Sequence, residues 1–343
     1  MGLAIKDLIE RKEISIEDLK NKVLVIDSFN LLYQFLTTIR SRDGTALQDS
    51  KGNITSHLVG LFSRTTKLME SGLQLAFVFD GVPPELKKEE RERRKALKKE
   101  ADKRYKIAVE KEDIDEMRKY ASRTVTLTKE IIEESQELIR NLGLPIIQAP
   151  SEGEAQAAFM VKEGDAYACV SQDYDSLLHN ATYLVRNLSI AGKRKRSNSA
   201  SYDVVKPELI ILKDVLDSLK IDNNQLIALS MLVGTDYNKG GIKGIGPKNA
   251  IKLVKEYKKD FKGLFQKVEW NEYFPYSWEK VYKTIKEMKV TKDYDLSWKD
   301  INHDKVKELL VENHDFSIER VNGTLEKLDQ QKDQKQQTSL GDY

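Results

Sequence analysis

Three apolar runs that close on a carboxylate constrain this chain most. "VLVIDS" (23–28) and "LAFVFDG" (75–81) stop on Asp27 and Asp80, and "YACVSQDYD" (167–175) reaches Asp173 and Asp175 after a short polar step. Runs without polar alternation read as strands buried on both faces, the habit of parallel sheets covered by helices. Helical periodicity over 30–39 and 57–69 fills the space between the first two. The pattern is therefore α/β, with a central, mainly parallel sheet flanked by helices. In such sheets ligands bind beyond the carboxyl ends of the strands, near the switch in strand order. An Asp after one strand ordinarily just begins a turn. Three strand ends together put a cluster of carboxylates on one rim.

Two further segments feed that cluster. In "PSEGEAQAA" Ser151 and Glu154 have the spacing of a capping box, so Glu154 has a structural task available. Glu152 has none. "LVGTDYNKG" adds Asp236 in a turn between helical patterns. Seven carboxylates in one place repel one another unless cations neutralise them. One cysteine and four histidines assemble no Cys/His zinc pattern, so the natural partner is a hard divalent ion held by oxygen. Two such ions about 4 Å apart activate a water and stabilise the leaving oxygen of a phosphodiester. Hydrolysis of a nucleic-acid backbone is the leading chemistry.

Net charge is only +2, yet residues 85–111 hold 12 Lys/Arg against 7 Asp/Glu. From Leu86 to about Tyr120 the chain has no glycine or proline and few apolar positions, which predicts a helical stretch projecting from the core. Lys87 and Arg94 lie seven residues apart, on one side of a helix that starts after Pro84. A solvated face is the commonest fate of such a run. Its place directly after Asp80 argues for phosphate contact. Tyr33, in the helix after Asp27, is positioned to stack on a base. "GIKGIGPKNA" (241–250) offers exposed amides at Gly244 and Gly246, with Lys243 and Lys248 beside them, to hold a phosphate without reading its base.

The remainder is organised simply. A helix is expected over Lys129–Asn141, strands at "GLPIIQAP" and 182–187, and a loop or hairpin over 191–201. After Lys206, from "LIILKDVLDSLK" through Thr324, the pattern reads as mostly helical, and the polar tail 331–343 as flexible. No apolar run reaches the length of about 18 residues needed for a membrane span, and no signal-peptide core opens the chain. An intracellular protein, in the cytoplasm or nucleoid, is expected.

These elements, in this order, resemble the flap endonuclease family of structure-specific 5′ nucleases, of the archaeal and eukaryotic replication type. The motifs are "VIDSFNLLYQFL", "TSHLVGLFSRT", "FVFDGVPPELK", "APSEGEAQAAFMV", "SQDYDSLL", "LVGTDYN" and "GIKGIGPKNA", spread over nearly the whole chain. The resemblance implies a 5′ flap endonuclease with 5′–3′ exonuclease activity, acting on flapped, nicked or gapped DNA in replication and repair. It implies two Mg2+ ions per site, with Mn2+ as a substitute. Asp27, Asp80, Glu152 and Glu154 would form the tighter metal group, and Asp173, Asp175 and Asp236 the second. Lys87 and Arg94 would touch the scissile phosphate, Tyr33 would stack, and Gly2 and Arg40 would add DNA contacts.

The same resemblance divides the chain into a nuclease core (1–83 and 123–330), a helical gateway and cap (84–122), a helix-hairpin-helix near 224–257 and a tail (331–343). It implies K+ at the helix-hairpin-helix turn. Gln337, Leu340 and Tyr343 have the order of a motif that binds a sliding clamp of the PCNA type. The motif normally has a second aromatic immediately after, and this sequence ends at Tyr343, so either the clamp contact is weakened or the sequence is cut short there. A monomer is expected. Two other readings stand beside this one: an Asp cluster acting on small phosphoesters, and a non-catalytic DNA-binding scaffold tethered to a clamp. The basic cap speaks against the first and the complete set of seven carboxylates against the second.

Overall fold

The computed structural model describes residues 3–340 except 4, 42, 112, 122 and 196–201. Its strands are β1 (Lys12–Glu13), β2 (Val23–Asp27), β3 (Gln74–Phe79), β4 (Ile146–Gln148), β5 (Ala168–Val170), β6 (Tyr183–Arg186), β7 (Gly192–Lys195), β8 (Tyr202–Val205) and β9 (Glu208–Ile211). Seven of them form one sheet in the order β1-β9-β6-β5-β2-β3-β4, and β7 pairs with β8 as a separate ribbon. Strands β2 to β6 are mutually parallel, while β9 and β1 add antiparallel edges. The chain moves outward from β2 through β3 to β4, then returns to β5 on the other side of β2. The switch in strand order therefore lies between β2 and β5.

The first helices are α1 (Ser28–Thr38), α2 (Ser56–Glu70), α3 (Lys88–Glu110), α4 (Ile114–Ala121), α5 (Lys129–Asn141) and α6 (Gly153–Glu163). Then follow α7 (Leu212–Leu219), α8 (Asn223–Val233), α9 (Pro247–Tyr257), α10 (Phe261–Lys267), α11 (Trp270–Tyr273), α12 (Trp278–Lys286), α13 (His303–Lys307) and α14 (Ile318–Leu340). Alternate side chains of the central strands enter two cores. Leu24, Ile26, Leu75, Phe77 and Phe79 pack with residues of α1, α2, α5 and α14. Val25, Ala76 and Val78 pack with α6, α8 and α9 on the opposite face. Burial on both faces explains the unbroken apolar runs, each large side chain contributing about 1.5–3 kcal/mol.

The structure corrects one expectation and refines three more. "LIIL" opens not a helix but β9, paired with β6, and α7 begins only at Leu212. A short apolar run with two isoleucines has no periodicity to separate the two states. Residues 288–302 are an irregular strap rather than helix. The strap is fixed by Gln156, which donates to the Thr291 carbonyl at 2.9 Å and accepts from its amide at 2.8 Å, and by Lys299 N donating to the Gly143 carbonyl at 2.8 Å. These contacts satisfy backbone groups that a helix would otherwise satisfy.

The charged stretch after Leu86 breaks at 111–113 into α3 and α4, because Asp113 accepts from Glu116 N at 3.0 Å and starts the second helix. The two pack on each other through Ala101, Ala108, Tyr120 and Ala121, all buried. Finally, α14 continues through Leu340, so the tail before residue 341 is helical. A Gln- and Lys-rich segment without Gly or Pro extends an already docked helix without a new nucleation cost. Among the described residues no helix is long and apolar enough to cross a membrane.

Candidate active site

The sheet delivers its carboxylates at the switch point. Asp27 ends β2 and caps α1, its Oδ1 accepting from Asn30 N at 3.1 Å. Its Oδ2 accepts from the Ser171 hydroxyl at 3.3 Å. Asn30 then bridges to the neighbouring strand end: its Nδ2 donates to Asp173 Oδ2 at 2.9 Å and its Oδ1 accepts from Gln172 N at 3.2 Å. Asp80, one residue beyond β3, accepts from Gly153 N at 2.7 Å, at the first residue of α6. A Cβ on Gly153 would stand 2.7 Å from Asp80 Oδ1, so any larger residue there would displace that carboxylate.

The start of α6 departs from the capping box. Glu152, not Ser151, is the N-cap, and it makes no side-chain cap hydrogen bond. Ser151 instead donates to the Val82 carbonyl at 3.0 Å, tying down the chain after Asp80. Glu152 is nearly buried and is gripped from two sides, by Lys87 Nζ at 2.7 Å and by the Tyr237 hydroxyl at 2.5 Å. Glu154 is released from any capping task and faces the same cavity.

Lys87 also reaches Asp236 at 3.5 Å, and Arg94 Nη2 lies 2.7 and 2.8 Å from the two Asp236 oxygens. All seven carboxylates, Lys87, Arg94 and Tyr33 line one cavity of about 1160 Å3, walled by residues of α3 and α4. Tyr33 is 38% exposed, with Lys98 Nζ 5.2 Å from its ring centre.

The electrostatics follow from crowding. Burial, then the charges of Asp80 and Asp173, push the Asp27 carboxyl up to about 7. Burial, then Asp173 and Asp236, do the same to Asp175, also to about 7. Asp80 rises to about 6, through burial and Glu152, against the pull of the Gly153 amide and Lys87. Glu154 is raised well above the usual range, through burial and Asp175. Burial opposes the charge on Lys87, yet Glu152, Glu154 and Asp236 outweigh it and hold the ammonium protonated.

Of the seven acids, Glu152 and Asp236 are paired with Lys87 and Arg94, whereas the cavity's other cations, Arg91, Arg93, Lys98, Arg104 and Arg123, stand on α3 and just after α4. The raised Asp27, Asp80, Glu154 and Asp175 mark a cluster short of positive charge, which fits hard divalent ions. Among the described residues no three of these carboxylates converge closely enough to hold an ion by themselves. An ion there would take one or two carboxylates directly and reach the rest through water.

The other expected contacts lie elsewhere. Arg40 is outside the cavity and turns back on its own loop, donating to the carbonyls of Thr37 at 3.2 Å and Gly44 at 2.6 Å. Carbonyls at the end of α1 attract a cation. Lys243, Gly244 and Gly246 are exposed on the turn between α8 and α9, and Lys248 is exposed in the first turn of α9, of which Gly246 is the N-cap and Pro247 the first residue. Gln337 and Leu340 fall in the last turns of α14, whereas Gly2 and Tyr343 lie outside the described residues.

Residues 3–101 match the model of the XPG N-terminal domain and 143–236 that of the XPG I-region, together more than half of the chain. The chain is 51% identical over 332 residues to flap endonuclease 1 of Pyrococcus abyssi, covering 96% of this chain and 94% of that protein. It belongs to the flap endonuclease family. The Pyrococcus horikoshii relative is 49% identical over the same shares. The solved flap endonuclease-1 of Methanococcus jannaschii superposes with TM-score 0.76 at 41% identity, covering 97% of this chain and 100% of that one. The catalytic core of Rad2 in complex with DNA substrate shares the fold, with TM-score 0.70 and 24% identity over 96% of this chain and 100% of that one.

As a member of this family the protein is a nuclease acting on phosphodiester bonds, and the family is generally dependent on divalent metal. The residues that hold the flap endonuclease site in shape were not all visible in the sequence. Asn30, Gly153 and Tyr237 lie inside the quoted motifs without a role being read for their contacts to the carboxylates, and Glu90 of α3 lies in no quoted motif. Gly153→Ala is expected to push the Asp80 carboxylate aside and slow cleavage about tenfold. Rates measured beside the unfolding midpoint check this, and an unchanged rate removes Asp80 from the reaction.

Proposed function

We propose that this protein cuts DNA where a 5′ single-stranded flap meets duplex, and acts as a 5′–3′ exonuclease on nicked or gapped duplex, in replication and repair. The reading rests on one observation above others: seven carboxylates, two of them paired with Lys87 and Arg94, line one cavity walled by the α3–α4 hairpin. Two Mg2+ ions, replaceable by Mn2+, are the cofactors proposed; when bound they supply the activation of water and the stabilisation of charge on the leaving oxygen.

The protein's own groups do the rest. Asp27, Asp80, Glu152 and Glu154 would hold one side of the metal site, and Asp173, Asp175 and Asp236 the other. Lys87 and Arg94, now paired with Glu152 and Asp236, are donors aimed into the cavity that a scissile phosphate can take over. Tyr33 offers a face for the terminal base. The hairpin is assigned to admitting a single strand, and its basic lining, Arg91, Arg93, Lys98 and Arg104, speaks against a small phosphoester as the natural substrate.

Duplex is assigned to the turn before α9, where the amides at the helix start and the lysines hold backbone without reading sequence, with K+ bound by the turn carbonyls. Lys248→Ala is expected to weaken binding equally for all sequences and to lower the slope of log affinity against log salt by about 1. Fluorescence anisotropy at several salt concentrations measures it; an unchanged slope takes Lys248 out of the interface. Gln337, Leu340 and Tyr343 are assigned to a sliding clamp, bound by the monomeric nuclease.

The test is incubation with end-labelled 5′-flap DNA, matched single strand and matched duplex, with Mg2+ or with chelator. Cleavage at the flap junction that chelator abolishes is the expected result. Flap binding without cleavage would leave a scaffold, and equal cutting of all three would end the claim of flap specificity.

A further inference from the structure

One nearly buried carboxylate outside the metal cluster gathers three cations. Glu90, in the first turn of α3, has a side chain only 5% exposed, whereas Arg93, Arg94 and Lys239 around it are 41%, 40% and 38% exposed. Its Oε2 accepts from Arg93 Nε at 2.7 Å. Its Oε1 accepts from Arg93 Nη2 at 2.9 Å, Arg94 Nε at 2.7 Å and Lys239 Nζ at 2.9 Å. These bonds and the surrounding cations hold the Glu90 carboxyl far below the usual carboxylate range despite its burial.

We propose that Glu90 is a positioning residue for cleavage: it sets the direction of Arg94 and locks the gateway helix to the turn that leads into the duplex-binding hairpin. An arginine side chain carries about 2 kcal/mol of rotamer entropy, and its planar fork is useful only when its plane is fixed. Glu90 fixes it from behind through Nε, leaving Nη2 to face Asp236 and the cavity. Lys239 supplies the second half of the joint. It lies three residues after Asp236 and shortly before the Gly241–Gly246 turn, so Glu90 ties α3 and that loop to a single point.

An ordinary helical i,i+4 pair stabilises by only a few tenths of a kcal/mol and has no directional role. Glu90 differs in being buried and shared between two elements, so replacing its charge removes the anion that Arg93, Arg94 and Lys239 share and leaves Arg94 held from the Asp236 side without its rear support. Glutamine at this position keeps the shape but turns one acceptor into a donor facing guanidinium. The inference rests on the proposed flap cleavage.

The test is a double-mutant cycle on the full chain. Single-turnover rates at saturating enzyme, flap-DNA dissociation constants and unfolding midpoints are measured for the unmodified protein, Glu90→Gln, Arg94→Ala and the double variant. A positioning role predicts a rate about tenfold or more below the unmodified protein for Glu90→Gln, flap affinity within twofold, and a double variant no slower than Arg94→Ala alone. Lys239→Gln should show a smaller loss that disappears in the Glu90→Gln background. A double variant slower than Arg94→Ala by the full Glu90→Gln factor, or affinity and midpoint falling in step with rate, would overturn it. If the unmodified protein leaves the flap uncut, the proposed function itself fails; if Arg94→Ala is slow and Glu90→Gln is normal, only this inference does.

Discussion

Asp173→Asn is expected to slow single-turnover cleavage of a 5′-flap duplex about a thousandfold while leaving flap binding within a fewfold. Asp173 lies beyond β5 beside the switch point, and its Oδ2 already accepts from Asn30 Nδ2 at 2.9 Å. The amide removes one anionic charge from the centre of the cluster and sets a second N–H donor against Asn30 or Asp27. A thousandfold corresponds to about 4 kcal/mol at 1.36 kcal/mol per decade, the scale on which a single charge-stabilising group acts in a closed site. Phosphate binding by the α9 turn does not use this carboxylate, so affinity should hold. Rates at saturating enzyme and anisotropy in chelator separate the two. A loss below tenfold, or a loss of binding as large as the loss of rate, would remove Asp173 from the reacting centre.

The sequence was most legible where one physical rule acts alone. Strands buried on both faces cannot alternate, so β2 and β3 stood out, and the rule that ligands sit beyond strand ends brought Asp27, Asp80, Asp173 and Asp175 to one rim. Glu152, Glu154 and Asp236 joined them through motif context, and the structure brings all seven to one cavity. Legibility failed where tertiary contact overrides local pattern. The capping-box spacing of Ser151 and Glu154 was real, but Ser151 found the Val82 carbonyl instead. Asn30, Tyr237 and Glu90 also act through partners 143, 85 and 149 residues away, which no local spacing reveals. The strap over 288–302 is likewise fixed by Gln156 and Gly143, far back in the chain.

Divalent metal should stabilise the fold at pH 8 and do little at pH 5. Asp27 and Asp175 stand at about 7 and Asp80 at about 6, raised above the 3.8 of an exposed Asp by burial first and mutual repulsion second. A raised acid binds more protons folded than unfolded. Its contribution to stability is therefore full below pH 4 and is lost as pH rises through 6 to 7. Metal-free protein should thus weaken over that interval, as the cluster becomes fully anionic, and this is where cations gain most.

At a hundred times its dissociation constant a bound ion adds about 2.7 kcal/mol. At pH 5, displacing protons from Asp27 and Asp175, each about two units below its pKa, costs about 5 kcal/mol, which exceeds that gain. Thermal unfolding with Mg2+, with Mn2+ and with chelator at both pH values measures the balance. Asp175→Asn should flatten the pH dependence of the metal-free midpoint, since it removes one of the raised acids. An equal metal-induced rise in midpoint at pH 5 and pH 8 would mean that the ions bind away from these carboxylates, and the two-metal assignment would fall with it.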